Sequence, residues 1–192
     1  GTFSLTPTSQ IDFTQVFAPY PSAPSHQIGG CQVDDGLLYV SVADALQTEQ
    51  SQRMDTILGK ILRMTLDGRP SPDNPFYQDD DIGDARNYIW ASGLRNPFGL
   101  NIVDGQVFVA DNGLGIDRFL EVTQGGNYLW DGTDTSIGTN ADAIFSPGRG
   151  VAQLERYPTG LNLFPSRFRD SFFMTMTGNP IVRREGIPAI WA

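Results

Sequence analysis

"VDDGLLY" (residues 33–39) sets an Asp-Gly pair between two apolar runs. Gly, and Asp less freely, accept the positive φ of a tight hairpin, so the stretch predicts strand, turn, strand. The device recurs in "LDGRP" (66–70) and "VDGQVF" (103–108), at Asp67-Gly68 and Asp104-Gly105. Around these turns lie short β-type runs: "LLYVSV" (37–42), "KILRMTL" (60–66), "NYIWAS" (87–92), "QVFVAD" (106–111), "FLEV" (119–122), "LNLF" (161–164), "FFMTMT" (172–177) and "IVRRE" (181–185). Only 43–62 can hold a helical turn or two. Strand–turn–strand units parted by long loops at 43–57, 68–87 and 131–150 predict an all-β propeller of four-stranded blades, each on the order of 40–50 residues. A β-sandwich is the other architecture this pattern permits. The long loops favour the propeller, which tolerates insertions on one face.

Composition narrows the function. The 192 residues suit one domain, 1–192, with a sizeable core. A net charge of −9 argues against nucleic acid, whose phosphates demand a basic surface, and against anionic membrane surfaces. No apolar run approaches the roughly 20 residues of a spanning helix. Cys31 is the single cysteine, so neither an intrachain disulfide nor a cysteine metal cluster is available. The chain opens on Gly1, carries no initiator Met and ends on "IPAIWA" (187–192), which reads as a mature product or a segment of something longer.

Four stretches carry candidate chemistry. His26, the only histidine, stands in "PSHQIGG" (24–30), just ahead of a strand; an imidazole there can move a proton, or be merely structural. "GLRNPFGL" (93–100) sets a charge, an amide and a ring-locked proline between two apolar runs. Pro97 holds Asn96 extended, so Arg95 and Asn96 are aimed, either at neighbouring carbonyls or at a ligand's negative charge. "ADNGLGIDRFLEV" (110–122) offers Asp111, Asp117 and Glu121 as oxygen ligands for a hard cation, or as turn caps. The acid run "YQDDDIGD" (77–84) reads as a solvated loop.

"SHQIGG", "DDGLLYVSVAD" (34–44), "LGKILRMTLDGRPSPDNPF" (58–76), "IWASGLRNPFGL" (89–100), "GGNYLW" (125–130) and "YPTGLNLFPSRFRDSFF" (157–173), in that order, resemble the glucose/sorbosone dehydrogenase family. Its best-known members are soluble aldose dehydrogenases that use pyrroloquinoline quinone (PQQ). The resemblance covers about residues 23–178 and implies a six-bladed β-propeller, with PQQ over the central channel and Ca²⁺ beside it. It implies oxidation of a sugar's anomeric hydroxyl in the periplasm or outside the cell. It makes His26 the general base and Asp44 its supporting acid. Arg95 and Asn96 become cofactor contacts, Arg95 also stabilising charge on the reduced quinone, and Asn112 and Gly113 join them. Metal positions fall on Gly113, Leu114, Asp117 and Tyr128.

This chain departs from the family's pattern in places. Ala43 precedes Asp44 where the family has Gly, and Gly113-Leu114 replaces a Gly-Pro pair. "DRFLEV" (117–122) stands where adjacent acids followed by an apolar residue are usual, and "NYLWDG" (127–132) replaces "NYGWP". Six blades need roughly 300 residues, and this chain supplies about four blades' worth. Further residues, a second copy or a partner protein would close the ring. A non-catalytic propeller serving as a binding or structural module is the alternative.

Overall fold

The computed structural model describes residues 15–17, 23–157, 160 and 163–177. Strands β1 (Ile28–Asp34), β2 (Leu37–Val42), β3 (Lys60–Thr65) and β4 (Ile89–Ser92) form one antiparallel sheet in sequence order. Strands β5 (Pro97–Val103), β6 (Gln106–Asn112), β7 (Asp117–Val122) and β8 (Ala143–Phe145) repeat the plan. Strands β9 (Val151–Arg156) and β10 (Phe172–Met176) open a third sheet. β1 packs on β5 and β5 on β9, so the first strand of each sheet stands beside the first strand of the next. This is the blade arrangement of a β-propeller. The described residues fill two blades and start a third. Excursions at 66–88 and 123–142 use chain that a minimal blade does not need.

The hairpins form for the reason the sequence states. Asp35 and Gly36 have φ of 45° and 75°, Asp104 and Gly105 of 51° and 78°. These paired left-handed residues match the twist of the strands they join. Asp67-Gly68 differs, because only Gly68 has positive φ; there the chain doubles back so that Pro70 bridges Met64 in the same blade. The first and third Asp-Gly pairs therefore mark equivalent hairpins of successive blades, and the middle pair does not.

Other expectations meet the structure unevenly. The helical turn in 43–62 is a 3-10 helix at Thr48–Gln52. Residues 163–164 of "LNLF" lie outside any strand, and "IVRRE" lies outside the described residues. Strands β8 and β9 and the helix α1 (Asp134–Thr139) were not expected.

The core lies between the blades. Ile61, Trp90 and Leu94 of the first blade bury against Leu100, Val109 and Leu120 of the second. Phe108 and Ala110 of the second meet Val151 and Leu154 of the third. The outer edge of β4 is covered by "GGNYLW", with bonds from Gly125 N to Trp90 O (2.8 Å), Ser92 N to Gly126 O (2.9 Å) and Tyr128 N to Ser92 O (2.9 Å). An exposed strand edge would invite aggregation. This cover also carries the chain from one end of the sheets to the other. No helix among the described residues is long and apolar enough to cross a membrane.

Candidate active site

Antiparallel pairing brings five segments to one end of the sheets: the chain before β1, that after β2, the β4–β5 link, the β6–β7 link and the approach to β9. At this end His26 Nδ1 lies 2.6 Å from Asp44 Oδ1, and both side chains are nearly buried. The backbone enforces the approach, since Ala45 N donates to His26 O (3.1 Å). His26 itself holds φ = 59°, a left-handed conformation uncommon outside glycine. Asp44 also accepts from Leu46 N (3.0 Å) and from the Trp130 indole Nε1 (2.9 Å). Two donors thus fix the carboxylate, and Oδ1 is left facing the imidazole as an acceptor. The proton of a neutral His26 then belongs on Nδ1, which leaves Nε2 as the basic nitrogen.

Asp44 is joined to the Arg95 loop through its own amide, which donates to Arg95 O (2.8 Å). That loop is held from beneath by Asp111, fully buried at the end of β6. Asp111 Oδ1 accepts from Asn96 N (2.7 Å) and Arg95 N (3.1 Å). The Arg95 guanidinium donates to Asn112 O (2.7 Å) and lies 5.5 Å from the centre of the Trp130 ring. Among the described residues no carboxylate pairs with it. Beside it, Asn112 Nδ2 donates to Val151 O (3.1 Å), while Asn112 Oδ1 is buried without a hydrogen-bond partner. An uncompensated cation and an orphaned polar atom, side by side, fit a polar anionic ligand.

A second network braces the loop. Gly93 N donates to Ser51 O, Ser51 Oγ to Leu94 O (2.8 Å), and Leu94 N to Gly59 O. Lys60, wholly buried, donates from Nζ to the carbonyls of Gln50, Ser51 and Leu58 at 2.9, 2.9 and 2.7 Å. Burial lowers its pKa to about 7, while the three acceptors favour the ammonium form.

The metal positions fare differently. The Asp117 carboxylate is consumed by backbone amides of Gly113, Arg149 and Gly150. The Tyr128 carbonyl accepts from Arg118 Nη1 (2.9 Å), and its hydroxyl faces Thr123 N and Glu121 O at the opposite end of β7. Asp117 and Tyr128 therefore do not fit a calcium ion. Glu121 points to that far end as well, bonded to Gln106 (3.0 Å), so Asp111, Asp117 and Glu121 do not converge. Among the described residues no three His, Cys, Asp or Glu side chains gather as a metal site. The Gly113 and Leu114 peptides are pinned through their amides to Asp117 and Asp134, with the Leu114 side chain exposed. A concavity of about 400 Å³ on β9 and β10, lined by residues such as Leu154, Phe173 and Met176, includes none of these groups.

Sequence reasoning missed Trp130, Lys60 and the partner of Asp111. Trp130 sits in an apolar run and reads as core. Lys60 opens a strand and reads as a solvated face.

A propeller with a buried His–Asp pair beside an aimed Arg–Asn turn is the class of molecule the fold and site define. The chain belongs to the glucose/sorbosone dehydrogenase family, whose model, Glucose / Sorbosone dehydrogenase, matches residues 2–153. It is 32% identical over 125 residues to aldose sugar dehydrogenase YliI of Escherichia coli, covering 62% of this chain and 33% of the relative. It is 28% identical over 137 residues to quinoprotein glucose dehydrogenase B of Acinetobacter calcoaceticus, covering 60% and 28%. Among solved structures, the PQQ-bound form of aldose sugar dehydrogenase from Streptomyces coelicolor superposes with a TM-score of 0.62 at 26% identity, over 82% of this chain and 44% of that one. The chain thus spans about a third of the length of the curated relatives it matches, and under half of that solved one.

Proposed function

We propose that this chain forms part of a PQQ-dependent aldose dehydrogenase, acting in the periplasm or outside the cell, with further blades completing the ring. The observation that carries the reading is the His26–Asp44–Trp130 relay set beside the uncompensated Arg95. Its relatives include a quinoprotein and a PQQ-bound aldose sugar dehydrogenase.

Arg95, Asn96, Asn112 and Gly113 would hold the cofactor, whose carboxylates suit a guanidinium that has no carboxylate partner among the described residues. When bound, the quinone supplies the hydride acceptor. His26 Nε2 takes the proton of the anomeric hydroxyl as the carbon–hydrogen pair leaves as hydride, and the sugar becomes a lactone. Asp44 keeps the imidazole in the tautomer that presents Nε2, and stabilises the imidazolium that results. Trp130 and Leu46 N hold Asp44 in place. Arg95, already held by Asn112 O and the Trp130 ring, would stabilise negative charge on a bound acceptor without rearranging. For calcium, the peptides of Gly113 and Leu114 remain as main-chain ligands, and the proposal assigns no carboxylate to it.

The test is reconstitution of the metal-stripped protein with PQQ and calcium, followed by dye reduction with an aldose. Saturable PQQ uptake with aldose-dependent dye reduction is expected. No PQQ uptake would overturn the reading.

A further inference from the structure

Arg118 on β7 has no exposed surface, and its guanidinium is surrounded by oxygen. Nε and Nη2 donate to Asp111 Oδ2 at 3.0 and 2.8 Å. Nη1 donates to Tyr128 O at 2.9 Å, and Nη2 to Gly93 O at 3.3 Å. Three further carbonyls, of Ser136 and Ile137 within α1 and of Asn140 just after it, close the ring at 3.4–3.5 Å. One carboxylate oxygen with several carbonyls, drawn from separate segments, is the donor set a hard cation such as Ca²⁺ takes.

We infer that the Arg118 guanidinium is the built-in cation of this oxygen cage, doing in this chain the tying work of a bound calcium ion. The charges account for it. Residue 118 stands where the resembling pattern has an acid. An acid there would place two carboxylates among inward-facing carbonyls, an arrangement stable only around a cation. Arginine brings the cation on its own side chain and balances Asp111 one to one. Its planar fork carries five N–H donors in a fixed geometry, against the three of an ammonium, and so spans the whole ring of acceptors. Through Asp111 the cage also grips the amides of Arg95 and Asn96, so the aimed loop is held without metal. This inference concerns the interior of the blade and stands whether or not the cofactor binds.

The test compares wild type, Arg118→Glu and Arg118→Lys, all cofactor-free, by thermal melting and equilibrium dialysis with calcium or with chelator. Calcium held by the Gly113–Leu114 loop would act on all three alike, so the difference between proteins is the readout. Arg118→Glu is expected to melt lower in chelator, to recover in calcium and to bind an additional calcium relative to wild type. Wild type and Arg118→Lys are expected to show neither effect. Equal calcium binding by wild type and Arg118→Glu would overturn the inference. So would an Arg118→Glu protein that stays unfolded in calcium, or a calcium dependence acquired by Arg118→Lys. None of these readouts involves PQQ, so a negative result leaves the proposed activity to its own test.

Discussion

Replacing Asp111 by asparagine changes one atom's chemistry at a fully buried position. Asp111 Oδ1 accepts from Asn96 N (2.7 Å) and Arg95 N (3.1 Å), while Oδ2 accepts from Arg118 Nε (3.0 Å) and Nη2 (2.8 Å). An asparagine can keep only one of these sides. If its oxygen faces the backbone amides, its NH₂ meets two guanidinium donors; if flipped, it meets the amides. Either way, donors oppose donors and Arg118 loses its carboxylate. Breaking a buried ion pair from one side costs about 3–5 kcal/mol. The carbonyls that still ring Arg118 place the expected loss at the low end, about 3 kcal/mol. For a domain of this size that corresponds to a melting point lower by about 6–12 °C. Urea unfolding of Asp111→Asn and wild type measures it. Asp104→Asn serves as control, at an exposed hairpin position where asparagine tolerates the positive φ, with a change within about 0.5 kcal/mol. A loss below about 1 kcal/mol for Asp111→Asn would refute the claim that Asp111 carries the turn and the cage together.

Lys60→Met strands three carbonyls and is expected to cost about 2 kcal/mol or more. It also alters the pH dependence. Folded Lys60 gives up its proton near pH 7 and the unfolded side chain near 10.5, so between these values the unfolded chain binds more protons and rising pH favours folding. Wild-type stability is therefore expected to gain on Lys60→Met as pH is raised across that window, and parallel urea-midpoint curves would contradict it. Arg95→Ala removes the uncompensated guanidinium, and PQQ titration is expected to show at least about tenfold weaker binding with a largely unchanged melting point; unchanged binding would remove Arg95 from the cofactor site.

The fold was legible where local chemistry is strong. Asp35-Gly36 and Asp104-Gly105 announce hairpins because few other pairs accept their dihedrals, and the apolar runs that follow them became β2 and β6. Strand β9, "VAQLER", has three charged or amide residues among six, with Gln153 and Glu155 exposed, so its apolar signal is thin. Helix α1, "DTSIGT", is made of weak helix formers. Its signal was Thr133, an N-cap whose hydroxyl accepts from Ser136 N. The site was half legible. His26, Asp44, Arg95 and Asn96 could be picked out by resemblance, but their partnership is tertiary. Asp44 and Trp130 meet across two blades, and nothing local to either foretells the bond. Arg118 was visible only as a break in a pattern. Its meaning came from the carbonyls around it, which a sequence does not record.

The central claim is that His26 is the base of a sugar-oxidising site. The most direct measurement is aldose-dependent dye reduction by His26→Gln after reconstitution with PQQ and calcium, with PQQ binding measured in the same preparation. Bound PQQ with turnover reduced by about 10²-fold or more is the result the account predicts. Turnover equal to wild type, with PQQ bound, would contradict it.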